Sequence, residues 1–116
     1  MADSGDVLVP RARWCASFGS KLRGFTFRRM LEPGEGLVLV ESKDSRSATA
    51  IHMFFVFMDL AVIWVNDAGL VVDVALARPW RPAYVPKAPA RYVIEANPST
   101  LERVQLGDTL AFVVLD

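Results

Sequence analysis

The segment that decides the fold is AIHMFFVFMDLAVIWV, residues 50–65. It is apolar or aromatic almost throughout, and a segment that is apolar on both sides lies in the middle of a fold or against a partner. A membrane-spanning helix needs about 20 predominantly apolar residues, whereas this segment is interrupted by His52 and Asp59. We therefore predict two buried strands, at residues 50–55 and 60–65, and no membrane span.

The composition is that of one folded domain. The chain has 116 residues, of which 53% are hydrophobic and 22% charged, so it can bury a core and is not intrinsically disordered over most of its length. We expect residues 1–6 to be a flexible N-terminus and residues 7–116 to form a single β-rich domain. Residues 1–6 do not have the pattern of a secretion signal, and the single cysteine, Cys15, forms no internal disulfide. Both features predict a cytoplasmic protein.

Turn residues divide the rest of the chain into short strands. The sequence Asn-Asp-Ala-Gly at residues 66–69 predicts a hairpin that joins strand 60–65 to a strand at residues 70–77. Four prolines in residues 78–89 exclude a helix or a central strand there. Further strands are predicted at residues 7–9, 12–16, 37–40, 91–96 and 109–115, and short helices at residues 17–23 and 99–103. The predicted fold class is mainly β (α+β), a compact open barrel or sandwich-like single domain with two short helices.

Six short motifs occur in the order that is typical of one known family. They are Leu22-Arg23-Gly24-Phe25, LEPGEGL at residues 31–37, IHMFF at residues 51–55, Arg78-Pro79-Trp80-Arg81, Glu95, and Leu106-Gly107-Asp108. With these motifs the chain resembles the domain of unknown function 192 family of small bacterial and archaeal proteins, and the resemblance covers residues 7–115. The resemblance implies a compact β-rich single domain with open-barrel character, and no established activity, cofactor or substrate.

The chain departs from that family after the central strand. The family usually has a Pro-Ile/Leu-Asp step there, where this sequence has Asp59-Leu60-Ala61. The acidic group has moved by two positions, which on a strand leaves it on the same face. If the aspartate of the family has a chemical role, Asp59 would have to supply it in this protein.

The single histidine, His52, allows two interpretations. It is either a core histidine that is hydrogen-bonded to a backbone carbonyl, or the general base of a site, oriented by Asp59, Asp73 or Asp108. One histidine and one cysteine give no spacing of the kind that metal centres have. We predict no metal site and no cofactor.

The distribution of charged residues along the chain is more informative about possible binding surfaces than the net charge is. Thirteen basic and thirteen acidic residues cancel, so we expect no nucleic-acid partner. Ten of the thirteen basic residues, however, lie in two acid-free stretches, residues 7–31 and 74–94. They either converge into one positive surface or form two solvated faces with salt bridges to acids of other strands.

The leading hypothesis is a non-catalytic domain that binds an anionic small molecule or an acidic protein segment. Arginine suits the capture of carboxylate or phosphate, and tryptophan adds a ring on which a ligand can stack. The predicted contact residues are Arg23, Arg28, Arg29, His52, Arg78, Trp80 and Arg81. One alternative is a small hydrolase-like or lyase-like enzyme with His52 as general base and Asp59 or Asp108 as its orienting acid. Another is an oligomer in which a second subunit covers an apolar strand face.

Overall fold

The computed structural model describes residues 7–16, 34–53, 56–81 and 83–113. Five strands of these residues form one sheet in the order β1-β2-β5-β3-β4, in which β1 runs parallel to β2 and the other neighbours are antiparallel. The strands are β1 (Arg11–Cys15), β2 (Glu35–Ser45), β3 (Leu60–Val65), β4 (Val71–Ala77) and β5 (Ala90–Ala96). A 3₁₀-helix, Pro98–Glu102, follows β5.

The sheet is buried on both faces, and β3 shows this most clearly because all six of its residues are buried. Leu60, Val62 and Trp64 point to one face, which we call face A, and Ile63 and Val65 to the other, face B. Face A is covered by a group of side chains from the loops, namely Ile51, Met53, Val56 and Tyr84. Face B is covered by residues near the two ends of the chain, namely Leu8, Val9, Leu101, Val104, Leu110 and Phe112. The predicted burial of residues 60–65 is confirmed.

A buried tryptophan fixes the loop after β2 to face A. The indole Nε1 of Trp64 donates a hydrogen bond to the carbonyl of Thr49 at 2.7 Å, and the Thr49 hydroxyl donates to the carbonyl of Ser45 at 2.6 Å. This contact satisfies the one polar atom of a ring that is otherwise surrounded by apolar side chains. The chain that leads to His52 is thereby held against the sheet.

The turn at residues 66–69 forms as predicted. Gly69 donates to the carbonyl of Asn66 at 2.9 Å and has a φ of +90°, a conformation that glycine adopts without steric cost. A Cβ atom at this position would lie 2.7 Å from the carbonyl oxygen of Leu110. Both the backbone angle and the close approach of Leu110 therefore require glycine here.

The mainly β class is confirmed, with one sheet as its framework. Among the described residues the sheet is open, with β1 and β4 at its two edges, so a barrel is not supported. Within these same ranges, no helix has the length and apolar character needed to cross a membrane. The predicted helix at residues 17–23 lies outside the described residues. The second predicted helix forms as the 3₁₀-helix, and its capping residue is Asn97 rather than Ser99.

The predicted strand at residues 7–9 does not form, and three other predicted strands differ clearly from the structure in length. β2 continues through the polar residues 41–45, because Ser45 still pairs with Ala90 of β5. In the segment 50–55, the described residues form only a single bridge, between Ile51 and Tyr84. In the last segment, Thr109 forms a single bridge with Leu70 and the described residues that follow it are not in a strand. Each difference depends on which neighbour the segment meets in the folded chain.

We expect the substitution Trp64→Phe to lower the free energy of unfolding by about 2–4 kcal/mol. The smaller ring leaves a cavity in face A, and the carbonyl of Thr49 loses its donor. The measurement is urea unfolding followed by circular dichroism. The matched control is Trp14→Phe on β1, where the ring is 52% exposed and the expected change is below about 1 kcal/mol. Equal losses for the two variants would contradict the central position of Trp64.

Candidate functional site

The segment that carries His52 is paired with the segment after β4 through the backbone. Ile51 and Tyr84 exchange two hydrogen bonds, at 2.9 and 2.8 Å. Met53 donates to the carbonyl of Arg81 at 2.8 Å and accepts from the amide of Trp80 at 2.7 Å. Two loop segments that lie far apart in sequence are thus joined into a narrow ribbon over face A.

This ribbon decides the position of the histidine. In an extended segment, successive side chains point to opposite sides. Ile51 and Met53 are buried against face A, and His52 between them is exposed. The interpretation of His52 as a core residue is therefore wrong, because only its two neighbours point toward the sheet.

Residues 78–81, which we call the Trp80 turn, carry the candidate binding side chains. Arg81 donates to the carbonyl of Arg78 at 3.5 Å, with Pro79 and Trp80 in the middle. Trp80 has a φ of +66° and is the one non-glycine among the described residues with a positive φ. Proline followed by a residue of positive φ is typical of a type II turn, in which glycine is the usual third residue. Trp80 is 45% exposed, so a large side chain at a strained position points outward.

Each exposed side chain of the turn is supported by a neighbour. The ring of Trp80 meets the ring of Phe57 edge to face, with centroids 5.6 Å apart. The guanidinium carbon of Arg81 lies 5.4 Å from the centroid of the Tyr84 ring. The hydroxyl of Tyr84 in turn accepts a hydrogen bond from the backbone amide of Arg78 at 2.8 Å. These contacts restrict the turn and its side chains before any ligand arrives.

The three candidate orienting acids lie in different places. Asp73 is buried within β4, where its carboxylate accepts hydrogen bonds from the backbone amides of Val74 at 2.8 Å and Lys87 at 3.0 Å. Asp59 forms a salt bridge with Arg78 at 3.3 Å and so belongs to the Trp80 turn. Asp108 is buried beside the start of β4, where its carboxylate accepts from the amide of Gln105 at 3.0 Å and its carbonyl accepts from the amide of Val71 at 2.9 Å. Arg78 follows the other end of β4, and the seven residues between span about 20 Å. The structure brings Asp59 to the predicted site and leaves Asp108 away from it.

The first basic stretch and the second do not meet in the described structure. Arg11 and Arg13 lie on β1, at the opposite edge of the sheet from β4, about 19 Å across four strand spacings. Of the predicted contact residues, Arg23, Arg28 and Arg29 lie outside the described residues. In the second stretch, Arg91 pairs with Asp67 at 2.8 Å. Of the predicted contact arginines, the described residues bring together Arg78 and Arg81, with Pro79 and Trp80 between them.

Other candidate features lie away from this turn. Cys15 is fully buried in face A, as expected for a small apolar side chain. No group of three histidine, cysteine or acidic side chains in the described ranges could hold a metal ion. A groove of about 390 Å³ lies between residues 7–10 and the 3₁₀-helix, with Glu35 and Arg103 in its lining, and contains none of the predicted site residues.

Glu95, which the sequence identified only as one of the family motifs, lies in an unusual environment. Glu95 of β5 is 93% buried, since its relative exposure is 7%, and its register partners on the two neighbouring strands are Leu37 and Val62. Burial among these apolar side chains raises the pKa of Glu95 from its usual 4.5 to about 7. Two signals in the sequence could have drawn attention to it, namely its place among the family motifs and its position between the apolar residues Ile94 and Ala96.

The raised pKa of Glu95 makes stability depend on pH. Between about pH 4.5 and 7 the folded protein holds a proton that the unfolded chain has released, so the free energy of unfolding falls as the pH rises through this window. The total loss is about 3 kcal/mol. We expect Glu95→Gln, which cannot ionise, to remove this dependence and to be the more stable protein at pH 8. Urea unfolding at several pH values measures the free energy of unfolding of both proteins, and the control is Glu102→Gln at an exposed position. If the free energy of unfolding changes with pH in the same way for the wild type and for Glu95→Gln, Glu95 is not a buried, neutral residue.

The strain at Trp80 can be measured with a pair of variants. Trp80→Gly and Trp80→Ala both remove the ring and its contact with Phe57, and they differ only in tolerance of positive φ. Glycine is usually less stable than alanine outside such positions. Here we expect the glycine variant to be more stable than the alanine variant, by about 1 kcal/mol, in urea unfolding. An alanine variant of equal or greater stability would show that the turn is not strained.

Solved structures with the same fold exist. The chain superimposes with a TM-score of 0.76 on the crystal structure of a candidate transcription regulator from Sinorhizobium meliloti, at 20% identity, covering 84% of this chain and 78% of that one. It superimposes equally well, also at a TM-score of 0.76 and 20% identity, on a protein of unknown function from Novosphingobium aromaticivorans, covering 87% and 74%. At this identity the likeness shows a shared fold alone.

The sequence has relatives at higher identity. It is 33% identical to a UPF0127 protein of Thermococcus sibiricus over 114 residues, covering 95% of this chain and 71% of that protein. It is 36% identical to a UPF0127 protein of Pyrococcus abyssi over 100 residues, covering 84% and 81%. These names assign no activity. The family model of domain of unknown function 192, described as Uncharacterized ACR, matches residues 2–112, and the chain belongs to this family.

Proposed function

We propose that this protein is a non-catalytic binding domain that captures an anionic group at the Trp80 turn. The observation that carries the proposal is the exposed Trp80, held at a positive φ between Arg78 and Arg81. A backbone conformation that is unfavourable for a tryptophan is retained where the surrounding structure enforces it, and such positions cluster at functional sites. Here the enforcing contacts are the two hydrogen bonds between the turn and Met53.

The two arginines supply the charge that an anion needs. Arg81 is exposed, with its guanidinium near the face of the Tyr84 ring, so its head is positioned by an aromatic support. The side chain of Arg78 remains 61% exposed while it pairs with Asp59. Guanidinium groups present a planar set of donors that matches carboxylate and phosphate. His52 is exposed, and the residue next to it, Met53, is hydrogen-bonded to Trp80 and Arg81, which makes the imidazole a candidate for a further contact with the anion.

Binding agrees with these contacts better than a catalytic pair of His52 and Asp59 does. One carboxylate oxygen of Asp59 contacts the guanidinium of Arg78 at 3.3 Å, so this acid is directed to a cation, while the side chain of Arg78 stays 61% exposed. Of the other candidates for orienting the histidine, Asp73 accepts hydrogen bonds from two backbone amides within the fold, and Asp108 lies at the far end of β4. The hydrolase-like or lyase-like activity stays a prediction, as does a cytoplasmic location.

A second subunit on an apolar strand face has less support. The apolar side chains of β3 are buried on both faces by other parts of the same chain. Among the residues that the structure describes, β3 leaves no apolar strand surface for a partner to cover. An acidic protein segment remains compatible with the proposal, because its carboxylates offer the same chemistry to Arg78 and Arg81 as a small anion does.

We expect inorganic phosphate to raise the melting temperature of the wild-type protein. We expect Arg81→Glu to abolish most of that rise, because this substitution removes one of the two guanidinium groups and reverses its charge. The measurement is a thermal shift in a phosphate series at constant ionic strength. Phosphate also stabilises folded proteins without binding them. The matched control is therefore Lys87→Glu, which makes the same charge change at an exposed residue of the same loop.

The control decides the outcome. Lys87→Glu keeps the phosphate response of the wild type if the anion binds at the Trp80 turn. Equal responses of Arg81→Glu and Lys87→Glu, whether both are retained or both are lost, would show that phosphate acts through general charge and not through this turn.

A further inference from the structure

We infer that the ligand of the Trp80 turn carries a planar ring next to its anionic group, so that the ring stacks on Trp80 while the anion meets the arginines. This inference rests on the function proposed above and names the class of ligand. It depends on the placement of one aromatic and two cationic side chains within a single four-residue turn.

The placement of Trp80 is not explained by anion capture alone. Two arginines at the ends of a turn would bind phosphate or carboxylate equally well with glycine between them, and glycine would remove the backbone strain. The indole is nearly half exposed, so it is only partly used as packing for the core. What it adds to the surface is a rigid apolar plane, which favours a flat ligand.

The ring is also held in a defined orientation. Its edge-to-face contact with Phe57, at an interplanar angle of 73°, fixes the tilt of the indole relative to the body of the protein. Phe57 is itself half-buried and lies between the buried Val56 and the core residue Met58. A ligand that stacks on Trp80 therefore meets a surface that needs little further ordering.

The spacing of the turn suits a ligand in which ring and charge are close together. The first and fourth Cα atoms of a β-turn lie within about 7 Å of each other, and these positions are Arg78 and Arg81. Trp80 immediately precedes Arg81. A ring over Trp80 and an anionic group joined to it by a short linker, such as a methylene or a ribose, can thus be engaged by neighbouring side chains.

Two kinds of small molecule share this chemistry, namely nucleotides and aromatic carboxylates. The test compares each ring-bearing probe with its ring-free counterpart: adenosine 5′-monophosphate with inorganic phosphate, and phenylacetate with acetate. Binding is followed by nuclear magnetic resonance of the ¹⁵N-labelled full chain, in which the three tryptophans give three indole signals. The signal of Trp64, whose indole N–H is buried and bonded to Thr49, serves as an internal reference.

We expect at least one ring-bearing probe to bind about tenfold or more tightly than its ring-free counterpart, since stacking on an aromatic side chain typically contributes about 1–3 kcal/mol. The pair that shows the gain identifies the source, nucleotide or aromatic carboxylate. Trp80→Leu should reduce the gain to less than about twofold and leave the affinity for the ring-free anion unchanged. Arg81→Gln should weaken both members of the pair.

The matched control is Trp14→Leu. Trp14 is also exposed and also has an arginine, Arg13, next to it in the sequence, yet it lies on β1 at the other edge of the sheet. This variant should retain the full gain. A gain that Trp14→Leu removes and Trp80→Leu does not would overturn the assignment of the stacking residue.

The outcomes for the wild type separate this inference from the proposed function. If phosphate or acetate perturbs the Trp80 signal but the ring adds no affinity, the anion site stands and the inference of a planar ligand is wrong. If neither ring-free nor ring-bearing anions perturb the signal, both the proposed function and the inference fail. Neither result depends on the stability of a variant.

Discussion

The structure depends on the burial of β3 on both faces of the sheet. A strand of six buried residues must be covered twice, and a chain of this size has few segments with which to do it. The segments around Ile51 and Tyr84 cover face A, and the two ends of the described chain cover face B. Because the covering segments of face A cannot pair with the sheet edge, they satisfy their backbone groups by pairing with each other. The candidate site is the outer side of that pairing.

The same pairing stabilises the Trp80 turn enough to offset the backbone strain at Trp80. A positive φ at a non-glycine residue costs on the order of 1–2 kcal/mol. Met53 is almost completely buried, and its amide and carbonyl both bond to the Trp80 turn. Relaxing the turn would break these bonds beneath a buried side chain, which costs more than the strain itself. Packing in the core therefore determines the backbone conformation of the turn, and this conformation leaves the Trp80 ring exposed.

Local patterns predicted the parts of the fold that local physics determines. The run of residues 60–65 and the Asn-Asp-Ala-Gly turn gave β3, β4 and the hairpin between them, because two-sided burial and turn chemistry leave a direct mark on the sequence. The orientation of His52 left no such mark, since a histidine in an apolar run can point either way. The burial of Glu95 could not be predicted for a similar reason. The alternation of residues in β5 suggested that one side of the strand is polar, whereas both sides are buried. A meeting of the segment that carries His52 with the Trp80 turn was predictable as a hypothesis, and the distance of Asp108 from that turn was not.

The arginines explain how a protein without net charge can present a local site for an anion. Arg46, Arg91 and Arg103 donate hydrogen bonds to the backbone carbonyls of Pro86, Glu41 and Val7, at 2.9, 2.8 and 3.0 Å. Each of these contacts joins segments that are distant in sequence, so these three guanidinium groups stabilise the fold. Arg78 and Arg81 instead contact side chains, the carboxylate of Asp59 and the ring of Tyr84, and stay exposed. The number of basic residues in a stretch of sequence therefore says little about the charge on the surface. Some guanidinium groups are bonded to backbone carbonyls, and others face the solvent.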